Sequence, residues 1–403
     1  MNEVTTVGVL GAGTMGAGIA QVAAEAGLEV LLHDPMAGAT DRARERVGGF
    51  LARRVEKGQL TEVQRAAAVG RLGTSAVLEG LAVADIVIEA IPEELDLKRE
   101  AFRRLDAVAD VHTILATNTS SLAVARIAGA TSTPGRVIGM HFFNPVPLMA
   151  LVEVVPGPMT DPSVTDSVAL LARLIGKTPV IAADTPGFIV NRVQRAYYLE
   201  ACRILEGGLS DVAAIDDAMR EIGFRLGPFE LADVVGTDVN LAAGIAIFDG
   251  FFGDPRLRPA QVQRRVVDAG RLGRKSGAGY YDYGPDGTRG EPWPAVVPRA
   301  EGPSAMPPLD ATRIQVRILA AIVNEAASAV TDGVASPEAI DTGMRLATNW
   351  PDGPLAWGER IGLASVVGTL DALHSAVPDG RYRVTPLLRH LALGAATFFS
   401  EPT

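Results

Sequence analysis

An apolar stretch of the sequence, residues 136–155, carries one histidine and one glutamate, His141 and Glu153. Ionisable side chains are costly to bury unless a partner satisfies them. The NPVP segment between the two residues favours a turn, because proline cannot donate to a strand ladder and constrains its neighbours. If the chain reverses there, the strands Val137–Phe143 and Ala150–Val155 pair and the imidazole faces the carboxylate. Such a pair is either a structural contact of the core or a general base whose ring the carboxylate orients.

A glycine-rich turn near the N-terminus is the second candidate for chemistry. It comprises Gly11, Ala12, Gly13, Thr14, Met15 and Gly16. Because it follows an apolar strand and opens a helix, its glycines suit a tight turn, the approach of a pyrophosphate and close packing of helix on strand. Asp34 ends the next strand, where a carboxylate can accept both ribose hydroxyls and repel a 2′-phosphate. The pattern predicts NAD, and not NADP, as the cofactor; the alternative is a βαβ unit that binds none.

Short apolar runs alternate with helical stretches as far as about residue 155, which predicts a doubly wound, mostly parallel sheet. Besides the two hairpin strands, the predicted strands are Val7–Leu10, Val30–His33 and the segments DIVIEAI and TILATN. After Asp184 the segments are long and helical, and no strand pattern is evident. The sequence therefore predicts an α/β Rossmann domain, residues 1–185, followed by all-α structure.

The helical region contains an internal repeat. Two segments, which start at Asn191 and Thr312, share matching residues in nearly one register. The matches are Glu200 with Glu325, Ile215-Asp216 with Ile340-Asp341, and Gly227-Pro228 with Gly353-Pro354. A stretch rich in Pro and Gly separates the two segments and is typical of a linker. We predict a first helical domain at 186–284, a linker at 285–308 and a second, duplicate helical domain at 309–403.

The composition restricts the class of protein. Apolar residues make up 48% of the 403 residues and charged residues 21%, which is typical of a soluble globular chain. The formal net charge of −10 argues against nucleic acid as a partner. The single cysteine excludes an internal disulfide, and no cluster of ligating residues indicates a metal. No apolar run reaches the length of a membrane span and no export signal is evident, so we expect a cytoplasmic protein without membrane contact.

Five motifs together resemble those of one enzyme family. They are GAGTMGAGIAQ, IEAIPEELDLKREAF, TNTSSL, GMHFFNPVPLMALVEVV and DTPGFIVNR. Their order and spacing, from about Val4 to Tyr283, resemble L-3-hydroxyacyl-CoA dehydrogenase, including its 3-hydroxybutyryl-CoA dehydrogenase members. The duplicated block, which ends in GRYRVTPLLRHL, is similar to a longer bacterial form associated with β-oxidation-like steps such as phenylacetate catabolism. The resemblance implies a Rossmann domain followed by two helical domains of the 6-phosphogluconate-dehydrogenase C-terminal type.

The resemblance implies roles residue by residue. His141 would be the general base that removes the 3-hydroxyl proton, and Glu153 would be its partner. Ser120 would hydrogen-bond the substrate hydroxyl, and Asn191 would hold the thioester carbonyl or another substrate oxygen. The positions at which the family contacts NAD are Glu93, Lys98, Asn144 and Lys275.

Several of these residues also have a structural interpretation. Ser120 and Asn191 could cap a helix or a turn. Glu93 and Lys98 could be solvated charges on a helix surface. Lys275 lies in the sequence RKSG, which is typical of an exposed basic turn.

A coenzyme A substrate needs cations for its phosphates. The predicted helix DRARERVGGFLARRVEKG presents on one face Arg42, Arg46, Arg53 and Lys57. Such a face, with Phe50 on the same stripe, could bind the phosphates and stack the adenine, and we expect Arg53 and Lys57 to contact the substrate. By resemblance, a lysine at the Lys57 position contacts CoA, whereas Phe50 replaces a small polar residue of the family. The alternative is a solvated charged face.

These features predict the reversible NAD-dependent oxidation of L-3-hydroxyacyl-CoA to 3-oxoacyl-CoA, in β-oxidation or a β-oxidation-like catabolism of aromatic compounds or fatty acids. One alternative is a Rossmann dehydrogenase of a free β-hydroxy acid, although such enzymes lack the HFFNP element. Another is a non-catalytic NAD-binding protein, which the intact set of four catalytic residues disfavours. By resemblance, the single-copy helical domain is a dimer interface, so we expect the two copies to pair within one chain as a pseudo-dimer. A homodimer through another surface is left open.

Overall fold

The N-terminal part of the chain is organised around one eight-stranded sheet. We describe it from a computed structural model, which covers residues 4–296, 308–394 and 396–399. The chain divides into two units, Met1–Phe188 and Ile189–Thr403. The first unit contains the sheet and the second is almost entirely helical.

The first unit alternates strands and helices. The strands are β1 (Thr6–Leu10), β2 (Glu29–His33), β3 (Leu72–Thr74), β4 (Ile86–Glu89), β5 (Ile114–Thr117), β6 (Val137–Phe142), β7 (Leu151–Pro156) and β8 (Thr178–Ile181). The helices are α1 (Thr14–Glu25), α2 (Ala39–Glu56), α3 (Glu62–Gly70), α4 (Leu95–Val108), α5 (Val124–Ala128) and α6 (Pro162–Leu174). The strand order is β3-β2-β1-β4-β5-β6-β7-β8, and only β6 and β7 pair antiparallel. The predicted doubly wound, mostly parallel sheet is confirmed.

The degree of burial of each strand explains whether the sequence analysis predicted it. Every residue of β4, β5 and β6 is buried, as expected for central strands covered by helices on both faces, and such strands are continuous apolar runs. The sequence did not reveal β3 and β8, which lie at the two edges of the sheet. They are short, and each contains both buried and exposed positions, so neither forms an apolar run.

The second unit contains ten helices among its described residues, in two sets of five. The first set is α7 (Val190–Glu206), α8 (Val212–Glu221), α9 (Pro228–Val235), α10 (Thr237–Gly250) and α11 (Gln261–Asp268). The second set is α12 (Ala311–Thr331), α13 (Pro337–Thr348), α14 (Pro354–Ile361), α15 (Leu363–Ala376) and α16 (Pro386–Gly394). The sets follow each other in the same order and with similar lengths, which agrees with the predicted repeat.

The residues that match between the two sets make the same contacts in each. In the first set, the Asp216 carboxylate accepts hydrogen bonds from the first backbone N–H groups of α9, at 2.9 Å each. In the second, Asp341 accepts from the corresponding groups of α14 at 2.8 and 3.0 Å. A Cβ on Gly227 or Gly353 would lie 2.3 or 2.2 Å from that carboxyl carbon, so only glycine fits. The matching Asp and Gly-Pro residues therefore form a side-chain cap for the third helix of each set.

The expectation that no strand follows Asp184 is wrong. Strands β9 (Tyr281–Tyr283) and β10 (Arg289–Pro292) form a small antiparallel hairpin after α11. The hairpin escaped detection because β10 contains Gly and Pro and is largely exposed. Its second strand lies at the start of the predicted linker, whose residues 297–307 are outside the described part of the chain.

Helix α12 corrects the expectation that no apolar run could span a membrane. Its 21 residues pass a test of length and hydropathy for a membrane span, and 67% of the tested window is buried inside the protein. The pair α9 and α10 passes only if counted as one segment bent by 99°. A buried core helix has the same composition as a membrane span, so the length and composition of α12 are accounted for by its place in the helical unit.

Candidate active site

His141 and Glu153 lie directly opposite each other in the antiparallel pair β6–β7. His141 Nδ1 is 2.7 Å from Glu153 Oε2, and the two side chains are 7% and 0% exposed. The imidazole also packs against two rings, with centroid distances of 4.5 Å to Phe143 and 5.8 Å to Phe188. The predicted hairpin is confirmed, and its register brings the carboxylate to one nitrogen of the ring.

Two residues that the sequence analysis did not single out hold this hairpin in place. The ammonium group of Lys177 donates to the carbonyls of Val146 and Met149, at 2.6 and 2.8 Å. Asn118 Oδ1 accepts from the Phe142 backbone N–H at 2.8 Å, next to the histidine. Burial lowers the pKa of Lys177. The turn is therefore held by a buried cation from the chain just before β8, a contact that no local pattern indicates.

The glycine-rich turn has the geometry of a phosphate cradle. Gly11 has φ of 101°, and a Cβ there would lie 2.6 Å from the Ala90 carbonyl oxygen. A Cβ on Gly16 would lie 1.8 Å from the Gly11 carbonyl oxygen, whereas the space beside Gly13 is open. Helix α1 has neither a side-chain N-cap nor an acidic residue in its first turn. Its N–H groups and dipole are thus suited to an anion, and the residues present fit a dinucleotide.

Asp34 lies at the end of β2, beside the cradle. Its two carboxylate oxygens accept from the backbone N–H groups of Ala12 and Met36, at 2.8 and 2.9 Å. These bonds fix the carboxylate against the glycine turn and leave it lone pairs for ribose hydroxyls. Asp34 therefore lies at the end of the second strand, beside the glycine turn, as the sequence predicted.

The interpretation of Lys98 as a solvated helix charge is wrong. Its side chain is 1% exposed, and its ammonium group lies 2.6 Å from Glu89 and 3.3 Å from Glu93. Glu89, at the end of β4, also accepts from the Thr117 hydroxyl at 2.7 Å. Burial raises the pKa of the Glu89 carboxyl, and Lys98 and its hydrogen-bond donors oppose this rise. The sequence analysis missed Glu89, because no local pattern indicates that a glutamate at the end of an apolar strand pairs with a buried lysine.

Glu93 holds the loop that contains Ser120. Glu93 Oε1 accepts from the Thr119 hydroxyl at 2.6 Å and from the backbone N–H groups of Ser120 and Ser121 at 3.0 Å. Burial acts to raise the pKa of Glu93, but the charge of Lys98 and these hydrogen bonds outweigh it and lower the pKa. Ser120 does not cap a helix, because α5 begins only at Val124 and its first N–H groups bond to Asp184 instead.

A cleft of about 470 Å³ lies between the end of α2 and the β6–β7 turn. It is lined by Phe50, Arg53, Arg54, Lys57, Gln59, Pro147 and Leu148. The cleft brings together Arg53, Lys57 and Phe50 as predicted, but Arg42 and Arg46 do not line it. Arg42 instead donates to the Ala37 carbonyl at 3.3 Å. Arg54, which the helix pattern did not select, lines the cleft and forms an ion pair with Glu25.

The remaining predicted residues lie in turns or at a helix start. Asn144 is exposed in the β6–β7 turn. In the second unit, Asn191 is in the first turn of α7, so it is a helical residue and not a cap. Lys275 is half-exposed in a short turn and forms an ion pair with Asp238 at 2.6 Å. No group of three or more potential metal ligands occurs in the described residues.

Comparison with known proteins decides the family. The profile of the 3-hydroxyacyl-CoA dehydrogenase NAD binding domain matches residues 6–185. The profile of the 3-hydroxyacyl-CoA dehydrogenase C-terminal domain matches residues 187–283 and matches again at 314–396. The chain belongs to the 3-hydroxyacyl-CoA dehydrogenase family. The twofold match of the C-terminal domain agrees with the repeat seen in the helices.

Relatives within the 3-hydroxyacyl-CoA dehydrogenase family match over most or all of the chain. The chain is 39% identical to 3-hydroxyadipyl-CoA dehydrogenase of Escherichia coli K12, over 98% of both proteins. It is 44% identical to a probable 3-hydroxybutyryl-CoA dehydrogenase of Bacillus subtilis, over 70% of this chain and 98% of that one. A crystal structure of 3-hydroxybutyryl-CoA dehydrogenase from Escherichia coli K12 superposes with a TM-score of 0.87 at 37% identity, covering 97% of this chain and 99% of that one. The predictions of an NAD-dependent 3-hydroxyacyl-CoA dehydrogenase, and of NAD as cofactor, are confirmed.

We expect NAD to be preferred over NADP by roughly 10²-fold or more in kcat/KM, since placing a 2′-phosphate beside the Asp34 carboxylate costs several kcal/mol of like-charge repulsion. Asp34→Asn should narrow the preference by removing that charge. Asp41→Asn, in the first turn of α2, is the matched control and should leave the ratio unchanged. Steady-state kinetics with both cofactors measures this, and equal wild-type values would refute the role given to Asp34.

Proposed function

We propose that His141 is the general base that removes the proton of the substrate 3-hydroxyl, with Glu153 as its orienting partner. The observation that carries this proposal is the 2.7 Å contact between His141 Nδ1 and Glu153 Oε2 within the buried hairpin. Because the carboxylate occupies Nδ1, it sets the tautomer and turns Nε2 toward the substrate. The carboxylate also stabilises the imidazolium that forms when the proton is transferred.

The resemblance to the family supports the remaining roles in the reaction. When bound, the nicotinamide accepts the hydride from C3 of the substrate. Ser120 hydrogen-bonds the substrate hydroxyl, and Asn191 holds the thioester carbonyl or another substrate oxygen. Glu93 supports Ser120, since its carboxylate binds the backbone N–H groups of Ser120 and Ser121. In the reverse direction the imidazolium returns the proton to the 3-oxo group.

The residues that would hold NAD are the glycine cradle, Gly11–Gly16, for its pyrophosphate and Asp34 for its ribose. By resemblance, Glu93, Lys98, Asn144 and Lys275 also contact NAD. The Lys98 side chain is buried and its ammonium group is paired with Glu89 and Glu93, so its part in NAD binding rests on the resemblance alone. Binding of the pyrophosphate is supported by the open space beside Gly13 and the uncapped N-terminus of α1.

The coenzyme A part of the substrate binds in the cleft beside α2. Arg53 and Lys57 are cations for its phosphates, and Phe50 offers a ring for the adenine. Arg54 adds a third cation, held in place by its ion pair with Glu25. Cations concentrated at one cleft are what a polyanionic ligand requires on a chain whose net charge is −10.

The second helical domain pairs with the first as an intramolecular pseudo-dimer. Two reciprocal ion pairs support this. Arg192 donates to Glu325 at 2.7 Å, and Arg317 donates to Glu200 at 2.6 and 2.9 Å. Arg317 and Glu325 follow Arg192 and Glu200 at one constant spacing, so the partners exchange places between the copies. Such an exchange is expected of an interface with twofold symmetry.

The second copy carries no counterpart of the proposed catalytic asparagine. Val316 stands at the position that corresponds to Asn191, whereas Arg317 corresponds to Arg192 and keeps its ion pair. The second domain, residues 309–403, is therefore structural, and residues 1–185 and 186–284 carry the chemistry. A homodimer through another surface is compatible with this arrangement.

The cellular role follows from the activity. We place the enzyme in the cytoplasm, in β-oxidation or in a β-oxidation-like catabolism of fatty acids or aromatic compounds such as phenylacetate. The relatives are named for two substrates. One is 3-hydroxybutyryl-CoA, with a four-carbon acyl chain, and the other is 3-hydroxyadipyl-CoA, whose six-carbon chain ends in a carboxylate.

The test of this function is the oxidation of NADH, followed by its absorbance, with acetoacetyl-CoA, with acetoacetate and with no added substrate. We expect rapid oxidation with acetoacetyl-CoA only, because the free acid lacks the CoA group that the cleft binds. Comparable rates with acetoacetate would instead support a dehydrogenase of free β-hydroxy acids. No reaction with either substrate would contradict the proposal.

A further inference from the structure

Arg195, on α7, is a buried cation that has no acidic partner. The residue is 4% exposed. Its Nε donates to the Asn191 carbonyl oxygen at 3.2 Å and its Nη1 to the Asn240 carbonyl oxygen at 3.0 Å. The guanidinium lies over the Tyr198 ring, 4.8 Å from the centroid. Among the described residues, no carboxylate lies within ion-pair distance of it.

The other two arginines of α7 each form an ion pair with a carboxylate. Arg192 forms ion pairs with Glu325 and Asp332, and Arg203 forms one with Glu200. A buried charge without a counter-ion is costly, and buried ionisable groups of this kind are candidates for functional sites. Burial accordingly lowers the pKa of Arg195, which no neighbouring carboxylate raises. Backbone carbonyls satisfy part of its hydrogen bonding but not its charge.

A positive charge at the Arg195 position is present in the helical domain that carries Asn191 and absent from the duplicate domain. The position of the second domain that corresponds to Arg195 is Ala320, a small buried residue. A purely structural arginine of the helical fold would be expected in both copies, as Arg192 and Arg317 are. The unpaired guanidinium therefore goes with the catalytic copy.

The guanidinium is also placed to reach a substrate held at Asn191. Residues four apart on a helix lie on one face and are separated by about 6 Å along its axis. The bond from Arg195 Nε to the Asn191 carbonyl turns the guanidinium back toward that residue. An extended six-carbon acyl chain spans about 6 Å from its thioester carbon to its last carbon. The end of such a chain thus comes within reach of Arg195 when Asn191 holds the thioester end.

We propose that Arg195 binds the distal carboxylate of a dicarboxylic 3-hydroxyacyl-CoA, and that this contact selects acyl chains that end in a negative charge. This rests on the proposed function, in particular on the role of Asn191. The planar guanidinium can donate two parallel hydrogen bonds to a carboxylate, and the pair neutralises the buried charge. A chain of equal length that ends in a methyl group leaves the guanidinium unpaired, so the site discriminates against it.

The test compares two substrates that differ only at the far end, 3-hydroxyadipyl-CoA and 3-hydroxyhexanoyl-CoA. We expect wild-type kcat/KM to favour the dicarboxylic substrate by at least ~10-fold, and Arg195→Met to reduce that ratio by at least ~10-fold. Arg195→Lys should keep part of the ratio, since it retains the charge without the planar fork. Arg203→Met is the matched control on the same helix and should leave the ratio unchanged.

The ratio separates recognition from structure. If Arg195 only ties α7 to α10, Arg195→Met lowers kcat/KM for both substrates in parallel and the ratio stays constant, which overturns the inference. If the variant does not fold, the wild-type ratio decides, and a value near one or below overturns the inference without touching the dehydrogenase activity. If the wild type oxidises neither substrate with NAD, the proposed function itself fails.

Discussion

Replacing His141 by Gln lowers turnover by at least ~10²-fold, the lower range for a positioned general base. The change removes the imidazole that would take the 3-hydroxyl proton, while glutamine keeps a polar group of similar reach beside Glu153. Binding of NAD should persist, because the glycine cradle and Asp34 do not contact this side chain in any described hydrogen bond. Turnover and NAD affinity are measured on the same preparation, by steady-state kinetics and by quenching of protein fluorescence.

The matched control is His33→Gln, which removes another buried histidine of the same sheet. Both histidines are 6% exposed, and His33 Nδ1 lies 3.0 Å from the Ser75 carbonyl oxygen, outside the proposed catalytic pair. His33→Gln should change stability but leave turnover within a few-fold. Glu153→Gln should impair turnover without affecting NAD binding, since it removes the charge that stabilises the imidazolium. Near-normal turnover of His141→Gln with intact NAD binding would mean that the pair is only a structural contact.

Deleting residues 304–403 produces aggregation or a new intermolecular dimer. The deletion exposes the face of α7 that contacts α12. It removes both carboxylates that pair with Arg192, and it leaves Glu200 paired with Arg203 but without Arg317. Exposing this largely buried helix face to water is unfavourable, because burial of apolar surface contributes about 25 cal/mol per Å². A second copy of the truncated chain can restore both contacts only by dimerising, since each domain presents its own Arg and Glu.

Light scattering coupled to size exclusion distinguishes these states, and acetoacetyl-CoA reduction reports the activity that remains. The control is Arg313→Ala in the intact chain, which removes an exposed charge of α12 and should leave both properties unchanged. A truncated protein that stays a soluble monomer with full activity would rule out the pseudo-dimer.

Several features of this protein were predictable from the sequence, because each depends on a short segment. The glycine turn and Asp34 belong to one βαβ unit. The facing of His141 and Glu153 depends only on the proline turn and on the two-residue period of strands, which fixes the register once the turn is placed. The duplicated Asp and Gly-Pro positions were visible because each copy repeats the same helix cap.

Other features were decided only by the tertiary structure, because they join segments that are distant in the chain. Lys98 has the sequence of a surface helix charge, yet its side chain is buried against Glu89 and Glu93. Lys177 reaches the β6–β7 turn from the chain before β8, and Arg54 replaces Arg42 and Arg46 in the cleft because the turn lies against only the last part of α2. Helix periodicity predicts on which side of α7 Arg195 lies. The absence of a carboxylate beside it depends on all the elements packed around it. Charge type and helix face are local properties, whereas burial and pairing are properties of the whole fold, and these determine what a charged side chain does.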